Sequence, residues 1–303
     1  MPGVTMFYRG QFEAARSHYE KALAGYDDRE RTKFWTTYTG HDAGVTHRCY
    51  LALTLWHLGY PDQAFKVDRE ARDLARTINH PFSLCHAIDF SAFLYQYCRL
   101  EAETRAAADE ELAIGNEQRF ALWQALGTLH TGAAQLLKDQ PDEALPILLK
   151  GLSAFRDTGA RLRVPCYLAI LADACTKAQR FEDAHKALDE ALSIVEQNDE
   201  RFHEAELHRL KGELYLAESD NQSAAEECFH RSIETARRQQ SKAWELRSTT
   251  SLARLWQRQG CHDDARGSLA TVYGAYTEGF KTPDLINARA LLESLAGREA
   301  VAG

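Results

Sequence analysis

One small residue recurs along this chain in a register that no single globular core would impose. Ala15, Ala64, Thr104, Ala144, Ala184, Ala224 and Ala265 each follow a Gly or polar turn residue by five positions, and from Ala64 onward the spacings are 40 or 41 residues. Twelve positions before each of these, again from Ala64 onward, stands a second small residue: Ala52, Ala92, Gly132, Ala172, Gly212 and Ala253. Two antiparallel helices joined by a short turn approach closely only where both present small side chains. The offset therefore predicts a helix A packed on a helix B in every repeat, stacked as an array.

The segments around the anchors carry helical periodicity. Val67, Ala71, Leu74, Ala75 and Ile78 keep a three-four rhythm, as do Phe181, Ala184, Leu188, Ala191, Leu192 and Val195. Gly59 and Gly260 stand where a helix would end, and Pro61-Asp62 and Pro141-Asp142 where the next would begin. Pro146 would fall inside the helix begun at Pro141, which predicts a kink or a late start there. The expected fold is all-α, a right-handed α-α superhelix forming one domain. It comprises a partial first repeat over 1–26, an insert over 27–42, six helix pairs over 43–281, a capping helix over 282–297 and a disordered tail over 298–303.

The small residue, the offset and the alanine match the helix A to helix B contact of the tetratricopeptide (TPR) family, which the chain resembles over nearly its whole length. TPR repeats are usually shorter, at about 34 residues. Three segments extend the resemblance: Ala205-Glu206-Leu207-His208-Arg209-Leu210-Lys211-Gly212-Glu213-Leu214, Ser251 to Trp256, and Tyr273 to Leu285. They are similar to the C-terminal TPR regions of bacterial proteins that carry a class III adenylate or guanylate cyclase domain and a regulatory ATPase domain upstream. The resemblance implies a sensor or scaffold segment of a signalling protein and brings no catalytic residue onto this chain.

Composition narrows the partners. A net charge of −8 repels phosphate backbones and anionic lipid, so neither nucleic acid nor a membrane is expected as a partner. No stretch approaches the length of an apolar membrane span, and the N-terminus lacks a signal-peptide core, so the expected compartment is the cytoplasm. The seven cysteines are scattered without a C-x-x-C pair and read as reduced, mostly buried residues.

Nothing in the sequence assembles a catalytic set. No phosphate-binding loop of either common kind is present, so no nucleotide cofactor is expected, and no other cofactor or metal is indicated. His203 and His208 superficially resemble a zinc-protease pair, but they are five apart where a shared helical face needs four. Asp89 interrupts the apolar run from Ala87 to Tyr95, and a carboxylate there must be solvated in a groove or paired.

If TPR geometry holds, helix A lines a concave groove. The candidate site residues are then Trp56, His86, Asp89, Phe93, Gln96, Tyr97, Asp173, Arg209, Glu213 and Arg254, grading from aromatic to charged. The alternative is that the aromatics pack helices together and the charges form a solvated face. The insert offers Trp35, Tyr38 and His41 as a second candidate surface, or serves only as a cover for the first helix pair. Phe7, Phe12 and Tyr19 belong to a helix whose partner is missing or very short, and would need covering.

Two classes of function follow. The first is a non-catalytic scaffold that binds a protein or peptide, an upstream domain of the same polypeptide, or a second copy of the chain as a homodimer through the N-terminal end. The second is a small-molecule sensor, resembling the helical-repeat sensors of sugar-responsive bacterial activators. A closed aromatic pocket near Trp56 and Phe93 would favour the sensor.

Overall fold

A computed structural model of the chain describes residues 2–26 and 40–296. Trp35, Tyr38 and the tail over 298–303 lie outside the described residues. Among the described residues there are fifteen α-helices and no strand. Helices α1 (Pro2–Tyr8) and α2 (Phe12–Ala24) form the short first repeat. Six pairs follow: α3 (Ala43–His57) with α4 (Pro61–Ile78), α5 (Pro81–Tyr97) with α6 (Glu101–Glu117), α7 (Ala121–Leu137) with α8 (Pro141–Asp157), α9 (Val164–Lys177) with α10 (Phe181–Asn198), α11 (Glu204–Ser219) with α12 (Gln222–Arg238), and α13 (Lys242–Gln259) with α14 (His262–Tyr273). Helix α15 (Pro283–Ala296) closes the series.

Prolines start these helices. Pro61, Pro81, Pro141 and Pro283 each occupy the first helical position, where the missing N–H would lack an intrahelical partner anyway. Pro146 behaves differently from the sequence expectation of a late start, because α8 runs unbroken from Pro141 to Asp157 around it. Leu145, Leu148, Leu152 and Phe155 are buried along that helix, and their packing outweighs the one backbone bond lost.

The turns reveal a finer period than the sequence did. Gly59, Asn79, Arg99, Arg119, Asp139, Gly159, Gln179 and Asp199 all have left-handed backbone and recur every 20 residues, so each repeat is two helix-plus-turn units. Such residues end helices by turning the next N–H back onto the last turn, as Leu100 N does on Tyr95 O at 2.9 Å and Arg180 N on Cys175 O at 2.8 Å. After Asp199 the series continues as Asp220, Gln240 and Gly260, one residue late, because α11 carries an extra residue in its last turn. This corrects the sixth anchor: Ala225, five residues after Asp220, is fully buried, and Ala224 is only half-buried. The small-residue contacts are tight, since a Cβ on Gly132 would lie 2.7 Å from Leu148 and one on Gly212 2.6 Å from Phe229.

The described residues form two compact units. Unit 1 takes 2–7, 11–26, 40–56 and 62–163, and unit 2 takes 8–10, 57–61 and 164–296. Within unit 1 the N-terminal aromatics are covered by the chain itself, against the expectation of apolar surface left over. Phe7 meets Phe12 and Tyr50 edge-on at 5.7 and 5.4 Å, and Tyr19 stacks on Tyr50 at 5.7 Å. Within unit 2 the carbonyl of Tyr8 accepts from Arg201 N at 2.7 Å and Phe202 N at 3.0 Å. His57 Nδ1 pairs with Ser241 Oγ at 3.2 Å in the same unit.

Candidate functional site

The A helices of unit 1 enclose a buried polar cluster. Asp89 on α5 is 0% exposed, and both of its oxygens are engaged: His130 Nε2, from α7, donates to Oδ1 at 3.0 Å, and Arg163 Nη1 donates to Oδ2 at 2.7 Å. The carboxylate that the sequence required to be solvated or paired is therefore paired. Burial would raise its pKa, but the Arg163 charge and the His130 hydrogen bond outweigh burial and hold it below the ordinary value. The Arg163 guanidinium also lies over the rings of Phe93 and Phe90, at 4.9 and 5.6 Å.

Arg163 reaches this position from a backbone with φ of +71°, outside the 20-residue series of helix-ending turns. The strained residue is the one that supplies the counter-charge. His130 meets the edge of Phe93 at 5.0 Å, and its Nδ1 meets the side-chain amide of Gln96. Glu111, on α6, is 0% exposed with Oε2 3.8 Å from His130 Nε2, and neither of its oxygens has a hydrogen-bond partner. Burial, then the Asp89 charge, push its pKa well above the usual carboxylate range.

Beside the cluster, His86 stacks on His41 at 4.7 Å and contacts Phe90 at 4.7 Å. Burial and the neighbouring His41 lower its pKa to about 3, so it is neutral. Trp56 stacks on Tyr97 at 4.5 Å, and Tyr97 meets Phe93 at 6.0 Å. These three rings are buried and in contact with one another.

In unit 2 the A helices carry charge instead. Arg209 on α11 donates from Nε and Nη2 to both oxygens of Glu206, at 2.7 and 2.8 Å, and from Nη1 to Glu213 at 3.1 Å. Ser251, on α13, donates to the same Glu213 oxygen at 2.6 Å. Arg247 extends the chain of charges from Glu206, at 3.5 Å, to Asp284 on α15, at 3.1 Å. Burial would raise the Glu206 pKa, but the two arginines hold it down at about 2. The sequence offered Arg209 as an anion contact for a partner. Its planar fork is committed to Glu206 and Glu213, which leaves it as a support for the half-buried Glu213, while Arg254 is exposed. His203 and His208 are both buried, and burial lowers each to a pKa of about 4.

His130, Glu111 and Arg163 were missed by sequence reasoning because they are distant in sequence, Asp89 pairing with residues 41 and 74 positions on. One signal for Glu111 was present. The positions Ala71, Glu111, Gly151 and Ala191 share the 40-residue register on helix B, and three of the four are small and buried. A carboxyl in that place implies a specific environment.

No protein-family model matches this chain. It is 24% identical over 250 residues to an uncharacterised protein, R02095, of Rhizobium meliloti (strain 1021), covering 82% of this chain. The chain spans about a quarter of that relative's length, 24%. Among solved structures, it is similar to aspartyl phosphate phosphatase F from Bacillus subtilis, with a TM-score of 0.58 at 10% identity, over 90% of this chain and 68% of that one. It is also similar to RapI in its apo form, with a TM-score of 0.57 at 14% identity, over 97% of each chain. The fold is TPR-like. At these identities the likeness concerns the helical-repeat architecture alone. No helix among the described residues is long and apolar enough to cross a membrane.

Proposed function

We propose that this chain is a non-catalytic partner-binding module of a bacterial signalling protein in the cytoplasm, and that unit 2 makes the contact. The observation that carries this reading is a ladder on successive A helices. Asp173, Glu213 and Arg254 each directly follow the small packing residue of their helix, and all three are half-buried or exposed. Charged side chains placed one repeat apart on rigid helices, with Glu213 fixed by Arg209 and Ser251, suit a partner segment of complementary charge. The match to one quarter of a longer relative is consistent with a module that works beside other domains. A closed aromatic pocket near Trp56 and Phe93 would favour a small-molecule sensor instead, and the stacking of Trp56 on Tyr97 beside Phe93 supports a packing role for these rings.

Peptides selected from a random library against the whole chain test the proposal. Combining Asp173→Lys, Glu213→Lys and Arg254→Glu should weaken the selected peptides about 30-fold, the equivalent of about 2 kcal/mol. Lys186→Glu, on a helix B face where the lysine is 67% exposed, should leave binding unchanged. Equal binding to both variants would remove the ladder from consideration.

A further inference from the structure

We infer that Asp89, Glu111 and His130 form a binding site for a divalent transition-metal ion of the zinc class. The ligand atoms come from three consecutive helices, α5, α6 and α7, and all lie within 4.8 Å of one another. The fully buried Glu111 has no hydrogen bond to either oxygen. A buried carboxyl group in that condition is destabilising unless something else satisfies it. Both oxygens share one small space with two further donors of the kind that bind zinc.

The spacing fits an ion. Tetrahedral zinc with bonds of about 2.0–2.2 Å holds its donor atoms roughly 3.3–3.6 Å apart. His130 Nε2 lies 3.0 Å from Asp89 Oδ1 and 3.8 Å from Glu111 Oε2, both close to that spacing, and the Asp89 and Glu111 oxygens lie within 4.8 Å of each other. Arg163 remains on the other Asp89 oxygen, Oδ2, and need not leave. Gln96 supplies the support that metal-binding histidines ordinarily have. Here the Gln96 amide nitrogen faces His130 Nδ1 while Nε2 donates to Asp89; on metal binding the ring proton moves to Nδ1, the amide turns its oxygen to accept it, and the Nε2 lone pair is freed for the ion. An imidazole donor disfavours magnesium and calcium, which take oxygen ligands.

The chemistry balances simply. The ion enters as a dication, the proton on His130 Nε2 moves to Nδ1, any proton on the Glu111 carboxyl leaves to solvent, and both carboxyl groups bind as carboxylates. Three protein donors leave a fourth position for water. This site lies wholly in unit 1 and is independent of the partner ladder of unit 2.

The test uses the full chain, stripped with chelator and titrated with zinc chloride by calorimetry in two buffers of different ionisation enthalpy. The wild type should bind one equivalent more than Glu111→Gln. Exposed Cys261 and other surface donors contribute equally to both proteins and cancel in the difference. Glu111→Gln replaces the carboxyl with a neutral amide of the same shape, so it should fold, and a circular dichroism melt checks this. His130→Asn should lose the same equivalent. Cobalt added to the wild type should give visible absorption of tetrahedral intensity that Glu111→Gln lacks. Equal zinc stoichiometry in wild type and Glu111→Gln, or no binding by either, would overturn the site and leave the cluster holding a proton only.

Discussion

The residue directly after the small packing position of helix A is Leu53, Phe93 and Ala133 in unit 1, and Asp173, Glu213 and Arg254 in unit 2. The first three are buried, at 4%, 1% and 4% exposure, and the second three are half-buried or exposed. One register position is thus a core position in the first half of the array and a surface position in the second. The helices are the same kind in both; what differs is what the neighbouring A helices present. In unit 1 the rings of Phe90, Phe93 and Tyr97 and the Arg163 strap fill the space, whereas in unit 2 paired charges do. Repeat architecture fixes where a side chain sits, and the sequence of the adjoining repeat decides whether that place is core or surface.

The most severe test of this contrast is truncation at the shared position. Phe93→Ala should lower stability by about 3–5 kcal/mol, as removal of a buried aromatic does. Asp173→Ala should stay within about 0.5 kcal/mol. Urea unfolding of the two variants measures both, and similar losses would abolish the distinction between the halves.

A second difference is the register itself, which runs unbroken from Asn79 to Gly159 in unit 1 and slips by one residue at Asp220 in unit 2. Ala225→Leu should overpack the contact between α11 and α12 and cost about 1–3 kcal/mol. Ala224→Leu should change stability by no more than about 0.5 kcal/mol. The reverse order in thermal melts would restore Ala224 as the anchor.

A third difference separates the two sets of buried carboxyls. Arginines hold the pKa of Glu206 in unit 2 down, while burial and Asp89 push that of Glu111 in unit 1 up. A carboxyl with a raised folded-state pKa takes up a proton on folding at pH values between its unfolded value of about 4.3 and its raised folded value. The unfolded state then binds fewer protons, so stability falls as pH rises, by up to about 1.4 kcal/mol per pH unit, until the folded-state pKa is passed. In chelator, Glu111→Gln should match wild type near about pH 4 and become progressively more stable than it toward neutrality. Parallel pH profiles for the two proteins would show that Glu111 ionises freely.

The helix pairs were legible in the sequence because close helix contact demands a small residue, and such residues repeat visibly at Ala64, Ala144, Ala184 and Ala265. The 20-residue period was hidden, since Asn79, Arg99, Arg119, Asp139 and Gln179 adopt the left-handed turn without being glycine. Asp89 announced itself as a charge in an apolar run. Its partners did not, because they lie on other helices and on the α8–α9 loop, and nothing local in the sequence marks His130 or Arg163 as belonging to it. The charged residues of unit 2 were visible, but their division into Arg209 as support and Arg254 as surface depends on which carboxylates reach the guanidinium. Spacing along one helix does not determine that.

The carbonyl of Tyr8, which holds the amides of Arg201 and Phe202, has a consequence for the order in which the molecule can be made. Unit 2 draws residues 8–10 and 57–61 from the front of the chain, so its native contacts close loops far longer than those within any helix pair. A ribosome that has released the first 60 residues has delivered parts of unit 2 for which no partner yet exists. Those segments wait through the synthesis of the intervening repeats, roughly 10 seconds or more at ordinary elongation rates. The unit made later is therefore also the last that can be completed, and residues 8–10 and 57–61, made earlier, are needed to finish it.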